Sequence, residues 1–173
     1  MATKILIKHE WNVPEEVVYT HLFDDALTEK VDLALKSANR TLLSKEEVDG
    51  RTVQRFEVKA NPSDIPGAAK KALPAEAFQW VEESVWDSAA KRFDWKIITK
   101  VMTDKIQCSG KVFYESTGST GTRRIVEGEI DIKIPFVGRI AEKVILGKVE
   151  ANFEDTGKAE GEYFAEMATK QAG

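Results

Sequence analysis

Apolar and polar positions alternate through the middle of the chain. Between residues 77 and 134, four segments place apolar side chains on every second position, as a strand with one buried face requires. Short connections join these segments, so successive strands must run antiparallel, because parallel neighbours need a long crossover. The pattern therefore predicts an antiparallel meander with strands at 77–87, 91–99, 105–115 and 123–134.

Three further strands and two short helices are predicted ahead of the meander. Asp49-Gly50 is typical of a two-residue hairpin turn and joins two of these strands. Pro14 begins the first helix, and apolar residues four apart indicate the second. The strands are predicted at 4–11, 41–48 and 51–59, and the second helix at 28–35.

The C-terminal third predicts one long helix, Val137–Thr169. Phe136, Ile140 and Val144 follow one another four residues apart, so we expect this stripe to pack on the concave face of the sheet. Glycine is unfavourable inside a helix by about 1 kcal/mol. Three glycines interrupt the apolar side of the segment and must therefore mark kinks or allow close contact with the sheet; they are Gly147, Gly157 and Gly161.

Length and composition narrow the class of protein. A chain of 173 residues is expected to form one domain, 1–173, with a core that needs no disulfide. The 25 basic and 29 acidic side chains give a charge of −4, which argues against nucleic acid as a partner. The single cysteine, Cys108, excludes an internal disulfide and a multi-cysteine metal site. With no apolar run of about 18 residues and no signal-peptide pattern, we expect a cytoplasmic protein.

The order of the elements resembles a known superfamily. A strand, two short helices, about six more antiparallel strands and a long helix are similar to START/Bet v 1-like (SRPBCC, helix-grip) proteins over residues 4–167. Trp86, the segment 91–95 and the segment 128–138 resemble a bacterial subfamily of START-like domains of unknown function. The resemblance implies an α+β fold in which a curved antiparallel sheet of about seven strands wraps around the C-terminal helix.

The same resemblance implies a function. Superfamily members hold lipids and other apolar molecules in a cavity between the sheet and the helix, so we expect binding, and intracellular transport or sensing, of a hydrophobic small molecule. A minority are cyclases, aromatases or hydrolases, and others assist chaperones, which leaves an enzyme or a protein-interaction domain as alternatives. The superfamily shares no catalytic motif, so no catalytic residue is assigned, and no metal or other cofactor is expected.

Strand parity selects the side chains that would line such a cavity. Gly110 and Gly128 lie on the parity of their apolar neighbours, where a missing side chain bends the strand or leaves room. Tryptophans on this parity suit a ligand cavity, although they fill cores equally well. The predicted lining is Trp80, Glu82, Trp86, Trp95, Cys108, Val112, Arg124, Val126, Ile130, Val144 and Phe153.

Two members of this set are charged. Glu82 on the inward parity would be a carboxylate in apolar surroundings, as acid–base residues often are, but the opposite parity would turn it outward. Arg124 would pair with a ligand carboxylate or phosphate, or would lie in water at the end of its strand. A nucleophilic pair between Cys108 and either His9 or His21 has no support from their spacing.

The connection at 61–75 is the longest between strands. It combines apolar residues with Lys70 and Lys71, a composition that fits a lid, a segment in transient contact with a membrane, or a plain connection. It is too short and too weakly basic for stable membrane binding, so the expected membrane contact is at most transient. A protein partner is not identified by any motif.

Overall fold

The computed structural model describes residues 2–35, 38–136 and 138–172, and within them seven antiparallel strands form one sheet. The strands follow the order β1-β7-β6-β5-β4-β3-β2 across the sheet, so that only β1 is placed out of chain order. They are β1 (Thr3–Trp11), β2 (Ala38–Val48), β3 (Arg51–Ala60), β4 (Gln79–Asp87), β5 (Arg92–Thr99), β6 (Ile106–Ser116) and β7 (Thr122–Ile132).

The helices complete a helix-grip fold of the predicted α+β class. Two short helices follow β1, a third lies between β3 and β4 with a 3-10 turn on each side, and a long helix ends the chain. The predicted fold class is confirmed. The helices are α1 (Glu15–His21), α2 (Asp25–Ala34), α3 (Gly67–Ala72) and α4 (Gly138–Ala172), and the 3-10 turns are Pro62–Asp64 and Ala75–Phe78.

Local sequence explains most of the sheet. Asp49 and Gly50 both have positive φ, 50° and 75°, and pair Val48 directly with Arg51, which is the predicted two-residue hairpin. The predicted start of β2 at residue 41 is late, since pairing with β3 already begins at Ala38. The last strand ends at Ile132 and not at residue 134 as predicted.

The core lies between β1, β7 and the helices. One face of the sheet, here called the inner face, carries Ile5, Val126 and Ile130 fully buried against α4 and its Phe164. The helices α1 and α2 add Val18 and further apolar side chains to the same cluster. The main sheet contacts of α4 are with β1 and β7. The helix therefore covers less of the inner faces of β4 and β5.

The predicted packing stripe of α4 is wrong. Phe136 is fully exposed and Ile140 is 62% exposed, while Val144 is only half-buried. The side chains that pack on the sheet belong to a neighbouring stripe with Ala141, Ile145, Val149 and Phe153. Val137, the predicted first residue of the helix, lies outside the described residues.

Glu142 explains the rotation of α4. Its buried carboxylate accepts hydrogen bonds from the Ile132 amide at 2.8 Å and from Thr3 Oγ1 at 3.2 Å. Because these bonds turn Glu142 toward the sheet, Ala141 and Ile145 turn inward with it, and Ile140 turns away.

Of the three glycines expected to interrupt the helix, two allow close contact with the sheet. A Cβ on Gly157 would lie 2.6 Å from His9 Nδ1, and one on Gly161 would lie 2.6 Å from Trp11 Nε1. The Trp11 indole also donates a hydrogen bond to the Gly157 carbonyl at 3.1 Å. Nothing lies within 4 Å of the corresponding point at Gly147. The helix therefore approaches β1 through its C-terminal half.

Candidate functional site

An arginine is buried between β7 and α4. Arg124 is only 2% exposed, so the structure places it inside the fold and not in water at the end of its strand. Its Nε lies 3.1 Å from Glu160 Oε2, and its Nη1 donates to the Phe153 carbonyl at 3.4 Å. The same Nη1 lies 3.3 Å from His9 Nδ1, and His9 Nε2 lies 3.0 Å from the exposed carboxylate of Glu154. We call these residues the Arg124 cluster.

Burial changes the pKa values of side chains in and beside the Arg124 cluster. Burial raises the pKa of the Glu160 carboxyl, although the nearby charges of Arg124 and His9 oppose the rise. Burial also raises the pKa of the neighbouring Tyr114 phenol, which stays protonated. Arg124 Nε and Glu160 Oε2 are buried close together, but their alignment leaves both without a hydrogen-bond partner among the described residues. The two groups thus form a buried ion pair in which neither of these atoms has a hydrogen bond.

A second charged group lies across the inner face, and we call it the Arg40 cluster. Arg40 of β2 donates from Nη1 to Asp32 Oδ1 at 2.7 Å and from Nε to Glu82 Oε2 at 3.3 Å. Its guanidinium lies 3.5 Å from the centre of the Phe56 ring, an arrangement that favours a cation. Trp80 Nε1 is 3.5 Å from the other oxygen of Glu82. Glu82 is therefore on the inner face, on the parity considered for it.

Apolar side chains separate the two clusters. Trp95 packs against Phe153 of α4 with ring centres 5.4 Å apart, and the Phe153 ring also lies 5.7 Å from the Arg124 guanidinium. Burial raises the pKa of the Cys108 thiol to about 12, with a smaller contribution from the charge of Glu82. A thiol with that pKa is not a nucleophile at neutral pH. We call the region between the two clusters, in which Trp95, Cys108 and Phe153 lie, the central cleft.

Several buried polar atoms in and around the central cleft have no hydrogen bond among the described residues. Trp95 Nε1 and Thr99 Oγ1 are buried and have no hydrogen-bond partner among the described residues, as is true of Arg124 Nε and Glu160 Oε2. Trp95 and Thr99 share the inner face of β5 with Ile97. Trp80, Glu82, Trp95 and Phe153 themselves are only half-buried, so the cleft is open along part of its length.

The structure brings together part of the predicted lining. Six members of the set contribute to the central cleft, namely Trp80, Glu82, Trp95, Cys108, Arg124 and Phe153. Four others lie in the packed core, namely Trp86, Val112, Val126 and Ile130. Val144 lies on α4 beside the packed stripe and is half-buried.

Sequence reasoning missed the partners of both arginines. Arg40 precedes the predicted start of β2, and Asp32 belongs to a helix for which only the apolar positions were considered. Glu160 stands among several acidic residues that favour a solvated face. Its position between Gly157 and Gly161 was the available signal, because these small residues mark the side of α4 that approaches the sheet.

The part of the chain that the structure describes contains neither a metal-binding group nor a membrane-spanning helix. There, no group of three or more His, Cys, Asp or Glu side chains is arranged to hold a metal ion. Among the described helices, none combines the length and apolar character needed to cross a membrane.

Comparisons with known proteins identify a family and a fold. A family model described as a protein of unknown function (DUF2505) matches residues 7–164. No curated protein matches the chain significantly. Solved structures share the fold at low sequence identity, and they are helix-grip proteins of the Bet v 1/SRPBCC type, which confirms the predicted superfamily fold.

Three of these structures illustrate the range. TTHA0849 from Thermus thermophilus is 19% identical with a TM-score of 0.61, covering 91% of this chain and 97% of that one. The Zhui aromatase/cyclase from Streptomyces sp. R1128 is 13% identical with a TM-score of 0.65, at 95% and 94% coverage. Norcoclaurine synthase from Thalictrum flavum is 16% identical with a TM-score of 0.61, at 94% and 96% coverage.

Proposed function

The chain belongs to the DUF2505 family of proteins of unknown function, and we propose that it binds a hydrophobic small molecule in the central cleft. The observation that carries the proposal is the set of buried polar atoms without a hydrogen bond among the described residues, beside half-buried aromatic rings. A buried polar atom without a partner costs about 1–3 kcal/mol. A ligand that covers the rings and satisfies these atoms would recover that free energy on binding.

The charges in the cleft favour an apolar ligand that carries a hydroxyl group. A hydroxyl group donates one hydrogen bond and accepts others, so one oxygen can serve Glu160 Oε2 and Arg124 Nε together. A carboxylate would be attracted by Arg124 but repelled by Glu160 at 3.1 Å from the guanidinium. A lipid or an aromatic molecule with a hydroxyl end therefore fits better than a fatty acid. Among the neighbours, norcoclaurine synthase has been solved with dopamine and hydroxybenzaldehyde, which are molecules of this kind.

A fluorescent apolar probe tests the location. Wild-type protein is expected to increase the emission of N-phenyl-1-naphthylamine, and Ile97→Trp should weaken this binding because the larger side chain fills the inner face of β5. Ile98→Trp is the matched control, since Ile98 is the next residue and lies on the outer face. Absence of probe binding to the wild type, or equal loss in both variants, would show that the cleft is not a binding site.

Competition tests the proposed hydroxyl group. We expect 1-naphthol to displace the probe at lower concentration than naphthalene does, and Glu160→Gln to reduce the difference between them. Native mass spectrometry of the protein purified from cells then identifies any ligand that remains bound. Equal competition by the two naphthalenes would remove the hydroxyl requirement while leaving apolar binding intact.

An acid–base enzyme is the second candidate, and the Arg124 cluster is the observation that favours it. Burial raises the pKa of the Glu160 carboxyl, which lies in one cluster with the His9 imidazole, and a shift in this direction is typical of general acid–base residues. If the protein is an enzyme, Glu160→Gln should abolish turnover of a bound hydroxylated aromatic while N-phenyl-1-naphthylamine still binds. A carrier or sensor would return the same ligand unchanged. For either role we propose a bacterial START-like protein that acts in the cytoplasm.

A further inference from the structure

The connection between β7 and α4 presents a bulky apolar side chain to solvent. Phe136 is fully exposed, and its φ of +66° lies in the left-handed region that bulky residues rarely adopt. Neither feature benefits folding, because the side chain does not pack in the core and the backbone would be less strained with glycine. Such residues tend to persist where function requires them.

A second apolar side chain extends the exposed surface. Ile140 lies four residues after Phe136, in the first turn of α4, and is 62% exposed. Beside them the surface forms a shallow pocket of about 460 Å³, whose walls include Ile134 and Pro135. The structure thus provides a small apolar projection next to an apolar depression.

Cations surround this projection. Lys133 and Arg139 line the same pocket, and Lys143 follows Arg139 by one turn; all three are exposed. Lys133 shares its charge with Asp131 at 3.4 Å, whereas the first turn of α4 contains no acidic residue. The positive end of a helix dipole disfavours cations, so Arg139 in the first turn is poorly placed for helix stability. The position of Arg139 is better explained by an anionic partner.

The charge of α4 is strongly segregated. Residues 138–149 contain three cations and one acid, Glu142, which is buried and hydrogen-bonded to the sheet through both oxygens. Residues 150–172 contain six acids and two cations. The first twelve residues of α4 are therefore its positive end, and an anionic surface would attract this end of the helix.

We propose that Phe136, Ile140, Lys133, Arg139 and Lys143, together called the Phe136 patch, dock the protein on an anionic lipid surface. Phe136 inserts among the lipid headgroups, and the cations contact the lipid phosphates and carboxylates. A few cations with one or two inserted apolar side chains give weak, reversible membrane binding. A second copy in two-fold contact fits less well, since the positive patches would face each other. This placement differs from the 61–75 connection considered from sequence, and it does not depend on the central cleft binding a ligand.

Vesicle co-sedimentation of the full chain tests the proposal. Wild-type protein should sediment with vesicles of phosphatidylcholine and phosphatidylserine, less with phosphatidylcholine alone, and less in high salt. Phe136→Ser should lower the partition coefficient about ten-fold, the loss expected for one buried phenyl ring. Arg139→Glu combined with Lys143→Glu should remove the preference for phosphatidylserine. Leu33→Ser is the matched control, because Leu33 is 76% exposed on α2 and should leave binding unchanged.

Two outcomes would overturn the proposal. In the first, wild-type protein does not sediment with phosphatidylserine vesicles. In the second, Phe136→Ser and Leu33→Ser lose vesicle binding to the same extent. A dimer seen by analytical ultracentrifugation without lipid, and dissociated by Phe136→Ser, would assign the patch to a second copy instead. Phe136→Gly provides a variant whose backbone suits the positive φ, so a folded protein without the phenyl ring is available in every case.

Discussion

Replacing Arg124 by methionine removes the cation that faces a buried carboxylate while keeping a long apolar side chain. The variant loses the 3.1 Å ion pair with Glu160, the hydrogen bond to the Phe153 carbonyl and the contact with His9. Removing one partner of a buried ion pair costs about 3–5 kcal/mol, because the remaining charge is neither paired nor hydrated. We expect Arg124→Met to lose about 3 kcal/mol, at the lower end, since burial already raises the pKa of the Glu160 carboxyl and eases its protonation.

The double variant Arg124→Met/Glu160→Met separates the ion pair from the packing. Replacement of both partners by apolar side chains is often neutral or stabilising, so its free energy of unfolding should lie within about 1 kcal/mol of the wild type. The double variant should therefore recover about 2 kcal/mol or more of the stability that Arg124→Met loses.

The pH dependence of the single variant gives an independent check. Its Glu160 has a folded pKa above the ordinary value of 4.5, so between these two values the folded form holds a proton that the unfolded form has released. The resulting stability is complete below the unfolded pKa and is lost as the pH rises through the folded pKa. Arg124→Met should therefore gain stability, relative to the double variant, as the pH falls from neutral to mildly acidic.

Urea unfolding followed by tryptophan fluorescence and far-UV circular dichroism measures these differences. Equal m-values across the series would establish that the same two states are compared. A loss below about 1 kcal/mol in Arg124→Met would mean that the buried guanidinium does not stabilise Glu160. A double variant as unstable as the single one would mean that Arg124 acts through its other contacts.

Three more predictions concern α4 and use the same unfolding assay. Gly157→Ala should lose about 1–3 kcal/mol of stability because its Cβ would meet the His9 ring. Gly147→Ala is the control and should gain up to about 1 kcal/mol, since nothing lies near its Cβ. If Gly147→Ala were the less stable variant, the placement of α4 on the sheet would be wrong. Glu142→Ala should lose about 1–3 kcal/mol by leaving a buried β7 amide without an acceptor, and a neutral result would show that water replaces it. Ile140→Asp should change stability by less than about 0.5 kcal/mol, and a loss of several kcal/mol would restore the stripe expected from sequence.

The comparisons with known proteins establish the family and the fold of this chain. The matching family has no described function, and the three solved structures share at most 19% identity with this chain, so they establish the fold alone. Both the proposed ligand and the proposed membrane contact therefore depend on measurements of this protein.

Local patterns in the sequence predicted all seven strands and the Asp49-Gly50 turn, with errors of a few residues at strand ends. Alternation fixes which side chains share a face, because successive side chains of a strand point to opposite sides. The predicted lining accordingly included Glu82, Trp95 and Arg124, while the opposite parity for Glu82 and a position in water for Arg124 stayed open. The Asp49-Gly50 hairpin follows from two residues that tolerate positive φ, and its geometry does not depend on the rest of the chain.

Only the tertiary structure decided the rotation of α4 and the partners of the buried charges. Apolar residues occur on two sides of this helix, so its periodicity allows more than one stripe, and the distant contacts of Glu142 with Ile132 and Thr3 select between them. Arg124 meets Glu160 because α4 crosses β7 at that point, 36 positions later in the chain. Such pairings depend on strand order and helix placement, which are set by the packing of the whole core and not by any local pattern.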